Sequence, residues 1–300
     1  MTFTTRFAPS PTGPLHLGHA YSALLAHDMA RAEGGRFLLR IEDIDRARSR
    51  PEWEAQIHDD LDWLGIHWDG PVMRQSERMG VYGAALDRLW EANATFACTC
   101  TRRDVAEAAS APQEGGAPLV GPDGIVYPGT CRSAGGYSGN VPFPEGAAVR
   151  LSMGYVARAV ADPRVGGDMI SFREDGRGPQ GDSGLIEFSA ESAVREIGDV
   201  VLARRDMGTS YHLSVVLDDA AQGITHVVRG QDLFEATKIH VILQRYLGLP
   251  TPVYHHHRLI RDAAGKRLAK RDDARAIATY RAEGASPSDI RRMVGLPDDQ

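Results

Sequence analysis

Apolar positions recur with two different periods along this chain, and the switches between them lay out its elements. A β-prone run from Phe3 to Phe7 leads through a Gly/Pro turn into a stretch where Leu17, Tyr21, Leu24 and Met29 recur at helical spacing, and Gly34-Gly35 stops that helix. A second strand is expected over Phe37 to Ile41. Pro51 suits a first helical turn and opens a helix with Trp53, Ile57, Leu61 and Leu64 on one face, closed at Gly65. Met79, Tyr82, Leu86 and Leu89 mark another helix over 77–91. Later in the chain, 224–228 reads as a buried strand, 231–247 as a helix, and Ser286-Pro287 as the cap and first turn of a last helix. Strands alternating with helices predict an α/β fold on a doubly wound, Rossmann-like parallel sheet, with ligands at the carboxyl ends of the strands.

Residues 110–147 break this pattern. They are rich in Gly, Pro, Ala and Ser without periodicity and read as a long insertion loop. The expected organisation is a first catalytic half over 1–94, an insertion over 95–147, and a second half over 148–300.

All the cysteines, Cys98, Cys100 and Cys131, fall in or beside that insertion. An odd count argues against a disulfide framework, whereas clustered thiolates suit a closed tetrahedral zinc site with a fourth ligand. No histidine lies between His67 and His212, so oxygen must complete such a site: Tyr127, Asp104, Asp123 or water. Three buried thiols without metal are the plain alternative.

Composition adds limits. At 300 residues and 42% hydrophobic, the chain can bury a substantial core in one or two domains. No apolar run of about eighteen residues and no basic-then-apolar N-terminus occur, so neither a membrane partner nor a signal peptide is expected, and the cytoplasm is the expected location. The net charge of −6 weighs against strong, general affinity for nucleic acid. Arg258, Arg261, Lys266, Arg267, Lys270, Arg271 and Arg275 nevertheless make the C-terminal quarter locally basic, either as an RNA-facing patch or as a solvated charged face.

The most informative chemistry is His16-Leu17-Gly18-His19, placed on the first turn of the first helix. There the unpaired backbone N–H groups and the positive dipole end favour an anion, and imidazoles three residues apart share a face. Gly18 leaves room for a flat base. Two surface histidines on a helix start are the bland alternative.

Four blocks give that segment its context: Arg6 to His19 (RFAPSPTGPLHLGH), Arg40 to Arg48 (RIEDIDRAR), Tyr211 to Asp219 with Ile224 to Leu233, and Gly265 to Asp272 (GKRLAKRD). Together they resemble the class I aminoacyl-tRNA synthetases, in their glutamyl branch, over most of 3–272. The last block looks like the family's basic loop, with Ala269 where a serine is usual; losing that hydroxyl costs about 1 kcal/mol of a neutral hydrogen bond.

The resemblance implies ATP bound by Pro9, His16, Gly18, His19 and Lys270. His16, His19 and Lys270 stabilise charge as pyrophosphate leaves, and Mg²⁺ accompanies the nucleotide. It nominates Arg6 and Arg229 for the side-chain carboxylate of glutamate, Glu42 for its ammonium, and Ser10 and Tyr211 for neutral hydrogen bonds; a guanidinium fork meets a carboxylate with two parallel bonds and disfavours glutamine. A purely structural Arg6–Glu42 pair is the alternative. It also implies Tyr127 as the zinc ligand beside Cys98, Cys100 and Cys131. With thirty residues after Lys270, no anticodon-reading region is expected, as in the truncated branch that attaches glutamate to the queuosine of tRNA(Asp). The alternatives are a conventional or discriminating glutamyl synthetase core, a non-catalytic tRNA-binding relative, and a nucleotidyltransferase of the same superfamily. His255-His256-His257 reads as a loop without an assigned role.

Overall fold

The computed structural model describes residues 2–110, 117–132, 146–161, 167–261 and 275–297. Its N-terminal half runs β1 (Thr4–Phe7), α1 (Leu17–Ala32), β2 (Arg36–Ile41), α2 (Pro51–Trp63) and β3 (Met73–Arg74), with β2 parallel to both other strands. Local chemistry sets these boundaries. His16 caps α1 through its side chain, and Gly34 turns the chain with φ of 58°. At Gly35 a Cβ would stand 2.3 Å from the Phe3 carbonyl oxygen, so the second glycine is needed for close approach to the strand entry. Pro51 opens α2 and Gly65, with φ of 76°, follows it.

A 3-10 turn (Gln75–Arg78) leads into α3 (Met79–Glu91) and β4 (Thr95–Cys98). Next come α4 (Arg102–Ser110), the hairpin β5 (Val120–Gly121) with β6 (Gly124–Ile125), β7 (Ala148–Leu151) and α5 (Met153–Val160). Then follow β8 (Met169–Glu174), β9 (Gly184–Ser189), α6 (Ala190–Glu196), β10 (Val201–Ala203) and α7 (Tyr211–Ala221). The last elements are β11 (His226–Gly230), α8 (Ala236–Tyr246), β12 (Val253–His257), α9 (Ile277–Ala282) and α10 (Pro287–Val294).

β11, β12 and β8 are parallel neighbours and β9 closes that edge antiparallel. Thr225 N–H donates to the Thr4 carbonyl at 2.9 Å and Thr4 N–H to Thr225 Oγ1 at 2.8 Å, which starts β11 beside β1. The spatial order is therefore β3, β2, β1, β11, β12, β8. Chain order runs outward from β1 through β2 to β3 on one side and from β11 to β12 on the other, with the earlier strand β8 added beyond β12, so the gap between the carboxyl ends of β1 and β11 is the topological switch point of a doubly wound sheet.

The insertion leaves and re-enters through neighbouring strands: β4 pairs antiparallel with β7, and β7 with β10. Two sequence expectations change here. The stretch after Ser110 carries the β5–β6 hairpin in its described part instead of being featureless, and His255, His256 and His257 lie on β12, where β-branched and aromatic neighbours fill a central parallel strand. The helix expected over 231–247 is also split, with a 3-10 turn at Gln231–Leu233 before α8.

Two apolar clusters hold the halves. Leu24, Phe37, Leu39 and Ile57 pack with Ile277 and Ile290 from the C-terminal helices, while Tyr82, Leu151, Ile170, Leu213 and Ile242 form the second. Among the described residues no helix is long and apolar enough to cross a membrane.

Candidate active site

A cavity of about 360 Å³ opens at the switch point. Phe7 ends β1 and Ala8 follows it into the wall, Arg229 and Gly230 end β11 there, and His16 and His19 bring the start of α1. The two imidazoles lie 3.8 Å apart between ring centres. Each spends Nδ1 on the backbone: His16 Nδ1 accepts from Gly18 N–H and His19 Nδ1 from His16 N–H, both at 3.1 Å. The ring proton of each is thereby fixed on Nε2, the form that donates to an anion beyond the helix start. Gly18 favours that arrangement, because a Cβ would stand 3.1 Å from His16 Cε1 and press on the ring.

Glu42 and Tyr211 line this cavity and a second one of about 480 Å³ that also touches Ser10 and Thr12. Arg6, Glu42, Tyr211 and Arg229 thus surround the first space, Ser10 faces the adjoining one, and Pro9 lies on neither wall; its carbonyl accepts from Glu42 N–H at 3.0 Å.

Charge pairing beneath the cavity differs from an Arg6–Glu42 pair. Arg6 Nε donates to Asp219 Oδ1 at 2.9 Å, while Arg40, wholly buried, reaches Asp219 Oδ1 at 2.7 Å and Glu42 Oε1 at 3.2 Å. Burial pushes the Glu42 carboxyl up despite Arg40 and Arg6. Burial also acts on Asp219, but the charges of Arg6 and Arg40 outweigh it and hold that carboxyl down at about 2. Arg40 and Asp219 lie inside the quoted blocks, but nothing in their spacing marks them as partners.

Arg229 is held on every side. Its Nε donates to His256 Nε2 at 3.2 Å, Nη1 to His240 Nδ1 at 3.1 Å, and Nη2 to Thr237 Oγ1 at 2.6 Å and the Leu233 carbonyl at 3.3 Å. His257 also lines the cavity and bonds Ser22 Oγ at 2.7 Å. No role for His256 or His257 was legible in sequence, and only alternation along β12 could have placed them.

Lys266, Arg267, Lys270 and Arg271 lie outside the described residues. Their flanks are described: Ile260 is in the cavity wall, and Ala276 bridges His16, with Ile277 N–H donating to the Leu15 carbonyl at 2.9 Å. Of the other basic residues expected to form a patch, Arg258 donates to the Val294 carbonyl and covers the Tyr21 ring, and Arg275 pairs with Glu283.

In the insertion, the sulfurs of Cys98, Cys100 and Cys131 lie within 4.8 Å of one another, the one such convergence of metal-binding side chains among the described residues. Tyr127 Oη stands 3.5 Å from Cys98 Sγ and 3.7 Å from Cys100 Sγ. Tetrahedral zinc with Zn–S near ~2.3 Å sets ligand–ligand edges of about 3.5–3.8 Å, so this donor set fits. The competing carboxylates are engaged elsewhere, Asp104 with Thr101 N–H at 2.8 Å and Asp123 with His212 at 3.3 Å.

Residues 2–118 and 169–297 match the family of tRNA synthetases class I (E and Q), catalytic domain. A protein of Rhodobacter capsulatus named Glutamyl-Q tRNA(Asp) synthetase is 66% identical over 97% of this chain and 99% of its own length. One of the same name from Geobacter sulfurreducens is 41% identical over 92% of this chain and 78% of its own. Among solved structures, a glutamate tRNA ligase of Elizabethkingia meningosepticum in complex with its amino acid superposes with a TM-score of 0.72 at 25% identity. That likeness covers 99% of this chain and 61% of the ligase, so the chain spans about three fifths of its length.

Proposed function

The chain belongs to the class I tRNA synthetases of the E and Q type and is an ATP-dependent ligase; from that premise we propose that it activates glutamate without RNA and then transfers it to the queuosine of tRNA(Asp). The observation that carries this reading is one cavity lined by Arg6, Arg229 and the largely covered Glu42 together with the α1 histidines. A carboxylate oxygen of glutamate attacks the α-phosphate, pyrophosphate leaves, and a queuosine hydroxyl then displaces AMP from the mixed anhydride.

In this reading His16 and His19 donate Nε2–H to the phosphates, and Gly18 keeps the approach open. Lys270, on a segment whose flanks meet the cavity wall and His16, supplies charge to the leaving pyrophosphate; such groups act by electrostatic stabilisation and alignment. Arg6 and Arg229 receive the side-chain carboxylate, Glu42 the ammonium, and Ser10 and Tyr211 orient the substrate. Pro9 acts through the backbone of Glu42. Mg²⁺ arrives on the ATP phosphates, its usual mode of binding. Zinc on Cys98, Cys100, Tyr127 and Cys131 would brace the insertion, 95–147, between the catalytic halves 1–94 and 148–300 in a cytoplasmic enzyme with no membrane partner.

Glutamate-dependent ATP–pyrophosphate exchange in the absence of RNA tests the first step. For the second, labelled glutamate is expected to enter queuosine-containing tRNA(Asp), to remain after removal of the 3′-terminal adenosine, and not to load tRNA(Glu). Equal loading of tRNA(Glu) would establish the conventional 3′-end reaction instead.

A further inference from the structure

Behind Arg229 stands a line of groups with no part in the chemistry above, buried at His240 and His212 and partly exposed at Asp123. His240 Nδ1 takes the Nη1 proton of Arg229, His240 Nε2 lies 3.1 Å from His212 Nδ1, and His212 Nε2 lies 3.3 Å from Asp123 Oδ1. Arginine can only donate. His240 must therefore accept on Nδ1 and carry its proton on Nε2, which donates to His212 Nδ1; His212 then carries its own proton on Nε2 and donates it to the Asp123 carboxylate. Burial and the neighbouring Arg229 charge keep His240 neutral, consistent with one proton per ring. On the opposite side the same logic runs through His256, whose Nδ1 donates to Glu174 Oε2 at 2.5 Å.

We propose that Asp123, His212 and His240 are positioning residues that hold Arg229 for a substrate carboxylate, so that a residue of the insertion hairpin completes the amino-acid pocket. The proposal rests on the reading of Arg229 as a glutamate ligand. Asp123 sits in the β5–β6 turn, on the insertion, whereas His212 and His240 sit on α7 and α8 of the catalytic layer. A carboxylate at the end of an imidazole chain selects its tautomer, as it does behind metal-bound histidines. Without it, the tautomer of His240 that presents Nδ1–H would set donor against donor at Arg229 and tilt the guanidinium from the cavity.

Asp123 is 42% exposed on its side chain, so its replacement leaves the core intact. In Asp123→Ala the KM for glutamate in RNA-free exchange is expected to rise about three- to tenfold, the scale of one lost hydrogen bond, with kcat and the KM for ATP unchanged. Discrimination against glutamine should fall in parallel. Asp123→Asn, whose Oδ1 still accepts from His212, should restore the parent KM. Nitrogen-15 shifts of the imidazoles should show Nε2–H on both His212 and His240 in the parent, and mixed tautomers in Asp123→Ala. A parent-like KM for glutamate in Asp123→Ala, or Nδ1–H on His240 in the parent, overturns the proposal. If the parent itself shows no glutamate-dependent exchange, the functional reading fails, and the tautomers alone decide whether the relay holds Arg229.

Discussion

Asp219 and Arg40 meet at 2.7 Å with the arginine completely shut off from solvent, although 179 positions separate them. The same carboxylate oxygen takes Arg6 Nε at 2.9 Å. One aspartate on α7 therefore ties β1 and β2 to the second half of the sheet and fixes Arg6 in the cavity wall.

Replacing Asp219 by alanine would leave two buried guanidinium groups without their shared partner, and is expected to destabilise the fold by about 3–5 kcal/mol. Its pH signature is distinct. The native carboxyl titrates at about 2, below the ordinary 3.8, so its contribution is complete above about pH 4 and is lost as pH falls toward 2. Thermal melts of parent and Asp219→Asn across pH 2–7 should converge at the acid end; a constant gap would exclude the linkage.

Asp60 on α2 behaves in the opposite sense. It is fully buried, neither oxygen has a hydrogen-bond partner among the described residues, and burial together with Asp59 raises its carboxyl to about 6. With the folded value above the unfolded one, stability is retained below about pH 4 and lost as pH climbs through 6. Asp60→Asn should therefore raise Tm at pH 7.5, by about 1–3 kcal/mol of stability, and have no effect near pH 4. Denaturant titrations at the two pH values read the difference directly.

What the sequence made legible was local. The start of α1 could be read because its turn, cap and histidines are contiguous, and the ends of α2 and α10 because Pro51, Gly65 and Ser286 act within one turn. The setting of Arg229 could not be read. Arg229 and His256 are register partners on β11 and β12, and His240 reaches them from α8; parallel pairing and helix packing, both nonlocal, decide that meeting. For the same reason Arg6 and Glu42 look like natural partners in sequence, yet each is paired through Asp219 or Arg40.

The cysteine site predicts a metal that can be counted. Metal analysis of the purified chain is expected to find one zinc, and chelation should lower Tm. Tyr127→Phe removes the oxygen that stands 3.5 Å from Cys98 Sγ while preserving the ring beneath Arg150. Zinc affinity should fall by about tenfold or more in a competition titration, with the cysteines still titrating as a set. Unchanged affinity would assign the fourth position to water.

Lys270→Ala should lower the exchange rate about a hundredfold or more while the KM for glutamate stays within about twofold, as expected of a charge needed at the transition state. Single-turnover measurement of adenylate formation isolates that step from product release. Parent-like turnover would remove Lys270 from catalysis.

His16 serves two ends that mutation can separate. Its imidazole caps α1 through Gly18 N–H, and its Nε2–H is aimed at phosphate in the proposed reaction. Alanine removes both and should cost about 1 kcal/mol of stability, whereas asparagine is among the best caps and should restore it. Neither side chain reproduces an imidazole donor at the cavity wall, so both variants should lose about two orders of magnitude in glutamate-dependent exchange, the scale of one missing transition-state donor. Gly18→Ala is the third arm: its methyl group would meet the His16 ring at 3.1 Å and should lower exchange with His16 still present. If His16→Asn recovered exchange along with Tm, the histidine would be a helix cap alone, and phosphate stabilisation would pass to His19.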